Sequence, residues 1–241
     1  MTSQPAPWIS RLFSFTGRRV AAPQRPAAER RVREGIRPPK FANKFAILDF
    51  EAMAAPVISM FPPPARLPLD EVTIGIRGED LKYSDIPWSD LAGLPRVSIA
   101  APLVCQIFNW HESVTWKGFL VSDVLEACGL EVNHEGYLVF RSADGQYFET
   151  LSVDDAHDAR VMLAFGMNGG PLPHRFGGPL RLVVPFLQGY KSVKWVNRIE
   201  AYPRDPIGIK RLLSQSKTGR LGQAWLDKLA IVPPTGRPSD P

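Results

Sequence analysis

Between Val72 and Tyr202 the apolar positions come in short runs: Val72 to Arg77, Val97 to Ala101, Tyr137 to Ser142, Tyr147 to Leu151, Val161 to Phe165, Leu180 to Pro185 and Val193 to Tyr202. Each is rich in Val, Ile, Phe or Tyr and is bounded by Gly, Asp or Pro turns such as Ala143 to Gln146, a pattern that predicts strands. Helical spacing is rarer. The stretch 88–95, WSDLAGLP, predicts a short helix opened by a Ser-Asp cap and stopped by Gly-Leu-Pro. In 121–130, VSDVLEACGL, Ser122 is the expected cap and Gly129 the expected stop. There Val121, Val124, Leu125 and Cys128 share one helical face, so Cys128 reads as a small buried hydrophobe. A last helix is expected around Gln223 to Leu229. The fold class is α+β, with mixed β-sheets and helices inserted between strands.

Proline and charge divide the chain. Residues 5–39 are rich in Pro, Arg and Ala and predict little order beyond a short helix around Ala27 to Glu34. The stretch 60–70, MFPPPARLPLD, is a proline-stiffened, extended connector. The expected organisation is a basic N-terminal arm over 1–66, one globular domain over 67–205 and a C-terminal extension over 206–241. Residues 1–44 hold ten Arg and Lys against Glu29 and Glu34, a net +8, so the whole-chain charge of +5 leaves −3 on the remainder. A basic arm suits an anionic surface. The globular part, however, has no zinc-finger spacing and no aromatic RNA-binding signature, so nucleic acid is not the expected partner. No run of about 18 apolar residues suggests a membrane span. Arg18 and Arg19 are not followed by an apolar export segment, and the expectation is a soluble cytoplasmic protein with both thiols reduced.

Most catalytic patterns are absent. There is no Gly-rich phosphate loop, no G-x-S-x-G elbow and no H-E-x-x-H, and His111, His134, His157 and His174 fit no zinc spacing. Cys105 remains, at the end of an apolar strand and followed by Trp110, His111 and Trp116. Packing residue, nucleophile and metal ligand all suit such a thiol.

Two stretches narrow the choice: CQIFNWHESVTWKGFLVSDVL from Cys105, and 162–202. A strand-ending Cys is followed by Trp, then by a Trp-x-Gly-hydrophobic turn at Trp116 to Phe119 that opens a helix. Later come an Asn-Gly turn at Asn168 and Gly169, Gly-x-Pro-x-Arg at Gly177 to Arg181, Pro185, and Gly-Tyr-Lys-Ser-Val-Lys-Trp at Gly189 to Trp195. In this order the elements resemble the molybdopterin-binding domain of the sulfite oxidase superfamily, which includes bacterial methionine-sulfoxide reductase catalytic subunits. The resemblance covers about residues 68 to 203. It implies a sulfite-oxidase-like fold and a molybdenum-molybdopterin cofactor, with Cys105 as the metal's protein ligand and catalytic residue. Ser142, Arg181, Ser192, Val193 and Lys194 become cofactor contacts, with Ser142 roughly in the place of a family Thr.

The residue types suit that role. A molybdenum held by dithiolene sulfurs accepts a soft thiolate, and a phosphate-bearing pterin needs guanidinium, ammonium and backbone N–H donors. Simpler readings stand beside these: a salt-bridged strand residue for Arg181, a solvated strand end for Lys194, and core packing for Trp110, Trp116 and Trp195, whose functional reading is as walls of the site.

Three positions depart from the family pattern. Gln106 to His111 contains none of the arginines that hold sulfite, so sulfite is not the expected substrate. Four residues separate Cys105 from Trp110, where the reductases have three. Phe176 stands where the family has His or Asn, with His174 two residues earlier. Neither an immunoglobulin-like dimerisation domain after Tyr202 nor a haem-binding domain is expected. The expected function is two-electron oxygen-atom transfer on a small-molecule substrate, with electrons exchanged with a separate partner and the oligomeric state open. The alternative is a non-catalytic pterin-binding or cofactor-carrier module.

Overall fold

The computed structural model describes residues 59–80, 82–105, 110–130, 132–210, 216 and 218–232, without the side chains of Cys105 and Trp110. The expected helix at Ala27 to Glu34 and the Pro-rich arm lie outside the described residues. The chain divides into two units, Met1–Pro63 with Val104–Glu112, and Pro64–Leu103 with Ser113–Pro241. In the first, the described residues are 59–63, the last two of one strand and the first three of the next.

The second unit is built on strands and short helices. After a 3-10 turn at Leu69–Glu71 come β1 (Thr73–Arg77), β2 (Tyr83–Pro87), α1 (Trp88–Leu91), β3 (Val97–Cys105) and β4 (Trp110–Leu120). These lead to α2 (Val121–Ala127), β5 (Tyr137–Ser142), β6 (Phe148–Ser152) and α3 (Val153–Ala156). The chain continues through β7 (Met162–Met167), β8 (Gly170–Pro171), β9 (Arg181–Val183), β10 (Val196–Tyr202) and α4 (Gln223–Leu229). One sheet has the order β2-β1-β10-β5-β6, the other β3-β4-β7-β8 with β9 on β7. β1 and β10 are parallel, with Gly75 opposite Arg198 and Ile76 opposite Ile199; the pairs β1–β2, β10–β5 and β5–β6 are antiparallel. This is the expected α+β architecture with mixed sheets.

Alternation explains why the sheets face each other. Ile74 and Ile76 of β1, Leu138 and Phe140 of β5, and Ile199 and Ala201 of β10 turn inward. They share a core with Phe119, Leu163 and Leu182 of the other sheet and with Val121, Val124 and Leu125 of α2. Burying each such side chain contributes roughly 1.5–3 kcal/mol. Trp88, Phe119 and Phe165 form an aromatic cluster with ring centroids 5.1–5.7 Å apart.

Several local expectations change. Trp116 to Phe119 is strand, not turn: β4 runs straight into α2, so the cap position falls on Leu120 and Ser122 caps nothing. α1 likewise starts after Pro87, with no side-chain cap from Ser89 or Asp90. Gly118 serves close approach. A β-carbon there would meet the Leu163 carbonyl oxygen at 2.1 Å, where the β4–β7 register shifts between Lys117 and Gly118. β2 is an exposed edge strand, so its Tyr-Ser-Asp-Ile-Pro sequence lacks an apolar run.

Other expectations stand. Gly129 ends the α2 segment at φ 59°, Asn168 and Gly169 turn at φ 50° and 81°, and α4 has the expected bounds. Among the described residues no helix is long and apolar enough to cross a membrane.

Candidate cofactor site

Arg181 opens β9, opposite Ala164 of β7, and its side chain is buried at 3% exposure. Carbonyl oxygens hold it: Nη1 donates to Phe176 at 2.8 Å, Nη2 to Ser192 at 3.3 Å and Nε to Leu182 at 3.5 Å. Its guanidinium carbon lies 5.3 Å from the Trp116 ring, and Trp116 is itself fixed by Nε1 donating to the Ala101 carbonyl at 3.1 Å. Among the described residues no carboxylate pairs with Arg181. The salt-bridge reading is therefore replaced by a cation desolvated among carbonyls, and burial lowers its pKa from 12.5 to about 10. At neutral pH it is still a charge.

Phe176, which supplies one of those carbonyls, ends the 3-10 turn His174–Phe176. Gly177 follows at φ 106°, and a β-carbon on it would come within 2.8–2.9 Å of Lys194 Cα, Cβ and Cγ. Conformation and space both require glycine there. Gly178–Pro179 is a cis peptide. Across from this loop, Lys194 is half-buried and its Nζ lies 5.4 Å from the centroid of the Trp195 ring.

Trp195 has φ 52°, a left-handed conformation costly for a bulky residue. Three bonds impose it. Its N–H donates to the Gly177 carbonyl at 3.0 Å, its carbonyl accepts from Ala143 N–H at 2.7 Å, and Nε1 donates to the His174 carbonyl at 2.8 Å.

The structure thus brings four of the sequence-predicted residues together. Ser192 accepts from Arg181 through its carbonyl and from Val184 N–H through Oγ at 3.1 Å. Val193, fully buried, accepts from Leu182 N–H at 2.8 Å. Lys194 follows directly. Ser142 is linked more loosely: it is buried at the end of β5 opposite Val196, and its neighbour Ala143 bonds Trp195. Ser142 Oγ accepts from Asp144 N–H at 3.3 Å, so it also shapes its own turn. Cys105 closes β3 in the other unit; its side chain and residues 106–109 lie outside the described residues.

Three further participants were noted in the sequence but not assigned as cofactor contacts. Phe176 contributes a backbone carbonyl, which side-chain chemistry does not advertise. Trp116 underlies the guanidinium. His174 has a buried Nε2 with no hydrogen-bond partner among the described residues. A desolvated guanidinium without a carboxylate, a neighbouring ammonium and an unpaired imidazole nitrogen form a donor set suited to an anionic ligand rich in heteroatoms. A phosphate-bearing pterin fits it.

Residues 61–208 match the family described as the oxidoreductase molybdopterin binding domain. The protein-methionine-sulfoxide reductase catalytic subunit MsrP of Xanthomonas campestris pv. campestris is 29% identical over 157 residues, covering 59% of this chain and 42% of that protein. Mitochondrial sulfite oxidase of Homo sapiens is 30% identical over 142 residues, covering 48% and 26%. The crystal structure of the sulfane dehydrogenase SoxCD from Paracoccus pantotrophus aligns with a TM-score of 0.53 at 25% identity, over 58% of this chain and 40% of that one. The chain spans less than half the length of each of these three. With more than half of its residues matched and a mixed-sheet fold shared with a solved relative, the chain belongs to the oxidoreductase molybdopterin binding domain family of the sulfite oxidase superfamily, whose cofactor is molybdenum-molybdopterin.

Proposed function

We propose that this chain is a molybdopterin-dependent oxidoreductase carrying out two-electron oxygen-atom transfer on a small-molecule substrate, with Cys105 as the protein ligand of the metal. The observation that carries the reading is Arg181: a buried cation with carbonyl partners and no carboxylate among the described residues. Such a charge is costly unless a ligand compensates it. When bound, the cofactor supplies a two-electron couple at molybdenum.

The chain's own residues bind and orient. Arg181, pinned on two sides by the Phe176 and Ser192 carbonyls, offers a fixed guanidinium to the pterin phosphate, and Trp116 beneath it excludes water. Lys194 adds an ammonium steadied on Trp195. Ser192 and Val193 hold the shape of the segment between them, and Ser142 closes the strand beside it. The Cys105 thiolate is the soft donor that such a metal takes. Electrons pass to or from a separate partner, a reading supported by a relative named as a catalytic subunit. Sulfite is disfavoured, because residues 106–111 contain no arginine.

The test is turnover by cofactor-loaded protein with an artificial electron donor or acceptor, across sulfoxide, N-oxide and sulfite substrates, with two serine variants alongside. Sulfoxide or N-oxide reduction is expected, with very weak sulfite oxidation. Cys105→Ser should keep its pterin, lose turnover and change the visible spectrum, since a hard hydroxyl replaces a soft thiolate. Cys128 packs against the core, and burial raises its thiol pKa from 9.0 to about 11. Cys128→Ser should leave the spectrum intact and cost about 1 kcal/mol of stability. Loaded protein without turnover on any substrate class means a cofactor carrier, and a wild-type spectrum with metal retained in Cys105→Ser removes Cys105 from the metal.

A further inference from the structure

Four described side chains of the second unit carry a buried polar atom without a hydrogen-bond partner: Arg77 Nε, Glu149 Oε2, Arg220 Nη1 and His174 Nε2. Three belong to groups already compensated by ion pairs. Arg77 meets Glu200 at 3.3 Å, Glu149 meets Lys191 at 3.1 Å and Arg220 meets Asp155 at 2.8 Å. His174 has no such pairing among the described residues. A buried donor or acceptor left unmade is disfavoured, and native structures hold few of them, so the site asks for a ligand.

The placement of His174 says which ligand. Its carbonyl accepts from Trp195 Nε1 at 2.8 Å and from Gly177 N–H at 2.9 Å, which pins the residue to the loop leading to Arg181. Its ring lies 5.5 Å from the Trp195 ring, and Lys194 Nζ lies 5.4 Å from the centroid of that same ring. One indole, locked at a left-handed φ, therefore gathers an imidazole and an ammonium. Two residues on, the Phe176 carbonyl holds Arg181, while the Phe176 side chain is buried beneath the Arg175 guanidinium at 4.9 Å and offers no polar atom. A histidine that only packed here would be served better by phenylalanine.

We propose that His174 is a cofactor-binding residue, its Nε2 hydrogen-bonding the molybdopterin that Arg181 and Lys194 hold. The assignment rests on the proposed function of this site and adds a contact that Phe176 does not supply.

The experiment compares wild type, His174→Phe and His174→Gln, each purified with cofactor from a molybdopterin-competent host and without it from a deficient one. Pterin release from the loaded proteins is followed by fluorescence, and thermal unfolding is measured on the cofactor-free ones. His174→Phe keeps a ring against Trp195 and deletes Nε2. It should release pterin about tenfold faster, the factor expected for one hydrogen bond to a ligand, while its cofactor-free form melts at or above the wild-type temperature. His174→Gln, which restores a polar nitrogen or oxygen, should recover most of the retention. Release from His174→Phe at the wild-type rate overturns the assignment and leaves the proposed function standing. So does faster release accompanied by a lower cofactor-free melting temperature with no recovery in His174→Gln, which marks a packing role. Wild type that takes up no pterin overturns the proposed function itself, and this assignment with it.

Discussion

Glu200 and Arg181 are both buried charges, and the protein treats them oppositely. Glu200, on the outer face of the first sheet, accepts from Arg141 Nε at 2.8 Å, Tyr202 Oη at 2.9 Å and Arg77 Nη2 at 3.3 Å, with Arg198 at 3.7 Å. Burial pushes its pKa up, but the bonds from Arg141 and Tyr202 and the charges of Arg141 and Arg77 outweigh it, and the carboxyl titrates below its usual 4.5. A depressed carboxyl pKa contributes stability that is present above the unfolded value and lost as pH falls through the folded one. Glu200→Gln should therefore cost about 2 kcal/mol at pH 7, and the deficit should shrink as pH falls below 4.5, checked by denaturant unfolding across pH 3–7. A deficit independent of pH contradicts this account. Arg181 lacks any such carboxylate among the described residues, the difference on which its proposed ligand-binding role rests. That difference was not legible in sequence, where a buried salt bridge and a phosphate clamp look alike. Cys128 was legible in part: helical spacing turns it toward the core, against which it packs, but it caps the end of α2 and is half-buried rather than buried.

Elements were legible where a local rule decides them and illegible where a distant one does. Strand runs, the Asn168-Gly169 turn and α4 follow from periodicity and turn chemistry. β4 was missed over its length because Glu112 to Lys117 mixes polar residues with apolar ones, and the glycine that suggested a turn answers instead to a carbonyl on β7. The segment around 216–221 is another such case, since its partners lie far away in the chain. Gln188 N–H donates to the Gly219 carbonyl at 2.7 Å, Gln188 Nε2 to that of Arg220 at 3.2 Å, and Tyr190 Oη to that of Ser216 at 2.6 Å. Arg220 in turn pairs with Asp155 at 2.8 Å and lies over Phe186. This strap holds the loop that leads into Ser192, Val193 and Lys194. Arg220→Ala leaves Asp155 buried without its cation and should cost roughly 3 kcal/mol. Faster pterin release should accompany the loss, read by calorimetry and fluorescence on loaded protein; wild-type melting and release would show that the strap is dispensable.

At the scale of the molecule, the family was legible because an ordered series of separately weak signals, from a strand-ending cysteine to Gly-Tyr-Lys-Ser-Val-Lys-Trp, is improbable by chance. The topology was not. The parallel pairing of β1 with β10 joins residues more than a hundred positions apart, and no local pattern announces it. Nor does one announce the buried Lys191–Glu149 pair, in which Lys191 Nζ also donates to the Thr150 carbonyl at 2.9 Å. Lys191 directly precedes Ser192, Val193 and Lys194, and β10 follows them. The central claim is that this fold is built around one molybdopterin. The most direct measurement is molybdenum by elemental analysis together with pterin fluorescence after denaturation, on protein purified from a host that makes the cofactor. About one molybdenum and one pterin per chain are expected, and protein free of both would contradict the account.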